Sequence, residues 1–176
     1  MSGADEERDL ADRTGAAPSR APVELITRQL LARLAARAAH LARGRTNYNF
    51  HGYRDGYQRL LNVIQPGSYI QPHRHGDPQK SESFVVLQGE IAFFQFDAQG
   101  RVLMAQRLGP RREAVAVDLA PGVWHCFLAL ERDTAVFEGK NGPYDPSGDK
   151  EFAGWAPPEG DPAAAAYMAG LLARIE

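Results

Sequence analysis

From Gly44 onward, apolar and polar residues alternate in short runs broken by turn residues, a pattern that only a sheet can bury. Leu60, Asn62 and Ile64 alternate with Leu61, Val63 and Gln65, and Pro66-Gly67 then turns the chain. Extended segments are expected at 68–75, 83–95, 101–106, 113–119, 123–130 and 134–140, with turns at Asp97-Ala98-Gln99-Gly100 and Pro121-Gly122. Many short strands at this spacing favour a sandwich or a barrel, so the fold class is mainly β.

Helices flank the strands. Ile26, Leu30, Leu34, Ala38 and Leu41 recur at spacings of three and four, which predicts a helix within 22–43, with Gly44 as its stop. Asp161-Pro162 predicts the start of a short C-terminal helix over 163–175. The segment 141–158, dense in Gly, Pro, Asp and aromatics, reads as an ordered loop over the barrel. Residues 1–21 are polar and rich in Ala, Gly and Pro, and read as a disordered tail. That leaves 22–176 as a single domain, and no internal repeat is visible.

A net charge of -2 argues against a general nucleic-acid binder. The single cysteine, Cys126, rules out an internal disulfide. No run approaches the roughly 18 apolar residues of a membrane span. The N-terminus is acidic without an apolar core, so no secretory signal is read and the cytoplasm is the expected location.

Three of the five histidines fall into one arrangement. His73 and His75 lie two apart on an expected strand, so alternation puts both imidazoles on one face. Glu82 follows a turn containing Gly76, Asp77 and Pro78, and a hairpin there would return it beside the histidines. His125 comes three residues after Gly122 in the second turn. Such a set of nitrogen and oxygen donors suits one divalent ion (Fe, Mn, Zn, Ni or Co) with a position left for water or substrate. Asp77 rivals Glu82 as the carboxylate ligand.

The spacing Gly67-x5-His73-x-His75-x6-Glu82-x6-Gly89 resembles the first cupin motif, and Pro121-Gly122-x2-His125 resembles the second. The gap before Glu82 is longer than usual, and Ala129 stands near the place of an asparagine that often closes the second motif. The resemblance implies a double-stranded β-helix, or jelly-roll barrel, and a metal held by His73, His75, Glu82 and His125. Within cupins, the stretch from about Arg43 to Trp155 resembles the WbuC family of metalloproteins. It includes Tyr69-Ile70-Gln71-Pro72-His73-Arg74-His75, Lys80-Ser81-Glu82-Ser83-Phe84 and Gly142-Pro143-Tyr144-Asp145-Pro146. That likeness implies an association with bacterial surface-polysaccharide loci and no established reaction. Because many cupins pair, it also implies a homodimer.

Two polar rows are candidates for a pocket. Arg43, Arg45, Asn47, Asn49 and His51 occupy alternate positions and share a face if that stretch is extended, either at the barrel mouth or in open water. Glu138 and Lys140 share a face with Val136, as pocket residues or as a surface ion pair. Tyr69 is in phase with His73 and His75, as an inward-facing pocket residue or a core tyrosine, whereas Arg74, Trp124 and Cys126 are out of phase and should point away from the metal. These residues predict a small-molecule ligand, anionic because arginine forks suit carboxylate or phosphate. Two functional classes follow: a metal-dependent isomerase, lyase or oxygenase, and a non-catalytic module that binds a sugar or acid. No nucleic-acid or membrane partner is expected.

Overall fold

The computed structural model describes residues 22–76, 79–145 and 148–175. The expected tail 1–21 and the rival ligand Asp77 lie outside the described residues.

Among the described residues the elements run from helix α1 (Arg28–His40) through strands β1 (Arg45–Asn49), β2 (Tyr57–Ile64), β3 (His73–Arg74), β4 (Glu82–Gln88) and β5 (Ile91–Phe96). Strands β6 (Val102–Leu108), β7 (Ala116–Leu119), β8 (Trp124–Ala129), β9 (Thr134–Asn141) and β10 (Glu151–Phe152) follow, and helix α2 (Ala164–Leu172) ends the fold. The strands form two five-stranded sheets, ordered β1-β2-β9-β4-β7 and β10-β3-β8-β5-β6. Every pairing is antiparallel. The result is a jelly-roll arrangement of two facing sheets. Among the described residues, no helix is long and apolar enough to cross a membrane.

Helix α1 starts where Thr27 accepts a hydrogen bond from the Leu30 main-chain nitrogen at 3.2 Å. Its apolar stripe of Leu30, Leu31, Leu34, Ala35 and Ala38 packs on Leu61, Val63 and Ala135, the outer face of the first sheet. Ile26 and Leu41, at the ends of the expected stripe, are exposed. The C-terminal segment covers the outer face of the second sheet: Ala164 and Leu171 of α2 pack with Phe94, Phe96, Cys126 and Leu128. Cys126 is therefore a core thiol, and burial pushes its pKa up. Between the sheets, Ile64, Phe84, Val86, Phe93, Phe127 and Val136 fill one end of the interior. The other end is polar.

Three expected elements differ from the structure. The run 83–95 is two strands, because Gly89 at φ +75° turns the chain from one sheet to the other. A Cβ there would sit 2.9 Å from the Thr134 Cα, so only glycine fits. The run 68–75 contributes only His73–Arg74 to a ladder. The loop 141–158 contains the short strand β10, which pairs with β3 and ties the loop to the second sheet.

Leu34 is fully buried between α1 and the first sheet. Leu34→Ala is expected to lower unfolding free energy by about 2–5 kcal/mol, read by denaturant titration, through lost burial and the cavity left behind.

Candidate metal centre

His73 and His125 face each other across the β3–β8 ladder, with ring centroids 4.6 Å apart. His75 lies just past β3, its ring 5.4 Å from that of His73. Arg74 between them points the other way, paired with Glu151 at 2.7 Å and stacked over Trp124. Gly122, at φ +79°, makes the turn that leads into β8 and His125.

Glu82 does not arrive by a hairpin. It begins β4, which belongs to the facing sheet and pairs with β7 and β9. Between His75 and Glu82 the chain passes from the second sheet to the first. The second sheet thus supplies three imidazoles and the first sheet one carboxylate. All four side chains are buried, and one ligand atom from each lies within 4.8 Å of all the others.

Main-chain carbonyls set the histidine tautomers. The Nδ1 atoms donate to the carbonyls of Gln71 (3.0 Å, from His73), Asp149 (from His75) and Val123 (2.9 Å, from His125). A carbonyl only accepts, so each Nδ1 carries a proton, and in the neutral ring Nε2 is left as a lone pair. His75 Nε2 and His125 Nε2 lie 3.2 and 3.1 Å from Glu82 Oε2. These three atoms are buried and lack a hydrogen-bond partner. Converging lone pairs repel one another unless a cation lies between them, so the donor set fits a divalent metal ion.

Burial pushes the Glu82 carboxyl up, yet its polar neighbours, Glu138 among them, hold it well below the usual carboxylate range. Glu138 moves the other way, to about 8, through burial and the Glu82 charge. Asn62 Nδ2 donates to Glu138 Oε2. Burial and the Lys150 ammonium keep His73 well below the ordinary histidine range, which favours its neutral form.

A cavity of about 540 Å³ opens beside the centre, lined by His73 and Glu82 among others. A smaller chamber of about 230 Å³ adjoins it, and Asn47, Asn62, Glu138 and Lys150 line both. The alternating row of β1 faces this space: Arg43 and Arg45 line the larger cavity, and Asn49 and His51 the smaller. The two arginines are already engaged. Arg43 makes a two-pronged contact with Glu159 at 2.5 and 2.9 Å, and Arg45 reaches the same carboxylate at 2.6 Å. Arg45 also donates to Ser68 Oγ and the Tyr69 carbonyl.

Tyr69 is a core tyrosine, which corrects its reading as a pocket residue. Its ring packs outside the second sheet with Cys126, Ala164 and Leu171, its hydroxyl donates to the Pro157 carbonyl at 2.9 Å, and it lines neither cavity. The chain is not a strand at 69, so alternation carries no information there.

Two site residues, Asp149 and Lys150, were not anticipated from the sequence. Asp149 is buried and accepts from Lys80 at 2.6 Å and Lys140 at 2.7 Å, while its carbonyl holds His75. Lys140 also stands 3.8 Å from Glu138. Lys150 lines both cavities. The available signal was an Asp-Lys pair inside the loop expected to cover the barrel.

Residues 26–108, just under half of the chain, match the family described as Domain of unknown function (DUF6016). No curated protein matches in sequence. Among solved structures, CapF with the inhibitor 3-isopropenyl-tropolone superposes with TM-score 0.52 and 21% identity, over 61% of this chain and 31% of that one. The capsular polysaccharide assembling protein CapF from Staphylococcus aureus gives 0.52 and 22%, over 61% and 29%. A recombinant oxalate oxidase in complex with glycolate gives 0.50 and 14%, over 65% and 57%. The fold is a cupin fold. The match spans only about a third of CapF, so the likeness concerns this fold and not the whole of that protein.

Two outcomes follow from the buried charges of this centre. Glu82→Gln replaces a repelled oxygen by an amide able to donate to an imidazole lone pair. In metal-free protein it is expected to raise stability by about 1–3 kcal/mol, and in metal-saturated protein to lower it, read as melting shifts of opposite sign. Asp149→Asn leaves Lys80 and Lys140 without their shared counterion and is expected to cost about 3–5 kcal/mol in a denaturant titration.

Proposed function

We propose that this protein is a divalent-metal-binding cupin that takes a small polar, anionic molecule, of the sugar-derivative class, into the cavity beside the metal. The observation that carries the reading is the set of buried, unpaired lone pairs of His75, His125 and Glu82, of which Glu82 reaches the cavity wall. His73 completes the set as a neutral imidazole. A divalent ion held there supplies a Lewis acid or an activated water.

The chain's own residues shape what can enter. Phe84 and Phe127 close the apolar end, and Asn47 and Asn62 offer amides that donate and accept. Glu138 stands where both chambers meet, beside Glu82, and can exchange a proton with a molecule lying across them. The resemblance of Tyr69–His75 and Lys80–Phe84 to the WbuC family supports a place in bacterial surface-polysaccharide chemistry. A structural neighbour described as a capsular polysaccharide assembling protein agrees with that class.

Elemental analysis of purified protein is expected to find close to one divalent ion per chain. A double variant, His73→Ala with His125→Ala, should lose it while retaining the sheet signature in circular dichroism. Unchanged metal in the folded double variant would end this reading.

A further inference from the structure

We propose that Lys150 selects an acidic ligand, taking the carboxylate of a hydroxylated acid of hexuronate type whose polyol body lies in the smaller chamber. This deepens the reading above and rests on it only for placing the ligand beside the metal centre.

The assignment follows from accounting for the cations that line the cavities. Arg43 and Arg45 share the Glu159 carboxylate. Lys140 is held by Asp149 at 2.7 Å. Arg37 stands on α1 and lines the larger cavity only. Lys150 lines both chambers and has no hydrogen-bond or ion-pair partner among the described residues. The residue as a whole is exposed, yet its ammonium feels burial and the charges of Lys140, Glu138 and Glu82. An ammonium that is partly desolvated and lacks a close counterion gains most from an incoming carboxylate.

The smaller chamber specifies the rest of the ligand. Asn47 and Asn49 line it with amides, which both donate and accept as hydroxyl groups do. Tyr53 and Tyr144 lie together at one side, their centroids 5.0 Å apart, and offer aromatic surface to the C–H face of a ring. A neutral sugar would leave Lys150 uncompensated, and a bare small acid would not reach across to Asn47 and the tyrosine faces. A molecule with both parts satisfies the whole chamber.

The test is calorimetric titration of metal-loaded protein with D-galacturonate, D-galactose and acetate. Galacturonate is expected to bind at least about tenfold tighter than either of the others, the scale of one charge-assisted contact. Lys150→Met should reduce its advantage over galactose to near unity, whereas Arg45→Ala and Arg37→Met should preserve it. Tyr53→Ala should weaken galacturonate and leave acetate unchanged. Variants are compared only where their melting curves show a folded protein, and elemental analysis of the same samples reports separately on the metal. Galacturonate binding no tighter than acetate, or an acid preference that survives in Lys150→Met or disappears in Arg45→Ala or Arg37→Met, would overturn the proposal.

Discussion

A carboxylate that is 3% exposed, as Glu82 is, costs several kcal/mol to bury unless its surroundings compensate it. Much of the polar end of this molecule is arranged around that cost. The compensation is not a simple salt bridge. Imidazole nitrogens converge on Glu82 from the facing sheet, and main-chain carbonyls hold the protons on the far side of those rings. The protein therefore presents to the interior a concentration of lone pairs that only a cation can reconcile. The neighbouring carboxyl, Glu138, keeps its proton and so does not double the buried negative charge.

The fold makes room for this by dividing its interior lengthwise. The same strands that carry Ile64, Phe84 and Val136 into the apolar end carry Asn62, Glu82 and Glu138 into the polar end. The apolar end and the two covered outer faces supply the stability, and α1 and the C-terminal segment seal the outer faces. His125 sits at the boundary, with Phe84 at 5.7 Å and Phe93 at 6.3 Å between centroids. One flank of the cluster is thus dry, and the other opens to the cavity.

Alternation read from the sequence says which side chains share a face, and it served on the strands and at the residues just beyond their ends. It grouped His73 with His75 and turned Arg74 away, and it put the row from Arg43 to His51 on one surface. Alternation cannot say which strands become neighbours. Glu82 was expected across a hairpin, yet it reaches the histidines from the opposite sheet, because β4 finds its partners in β7 and β9. Nor does a local pattern reveal a distant counterion. Arg45 and Glu159 are 114 residues apart, and Lys80 and Asp149 are 69 apart. The arginines looked free in the sequence for that reason, and the role of Asp149 was invisible.

The loop after β9 shows how a flexible side chain can be aimed. Lysine has a long stem and loses much rotamer freedom when it is fixed, so its placement needs a rigid base. Lys150 immediately precedes β10, whose Phe152 is in register with His73. The Ala153 nitrogen donates to the Pro72 carbonyl at 2.8 Å, and Asp149, on the other side of Lys150, is clamped by two lysines and by His75. The backbone on both sides of Lys150 is thereby tied to the strand and loop that carry His73 and His75.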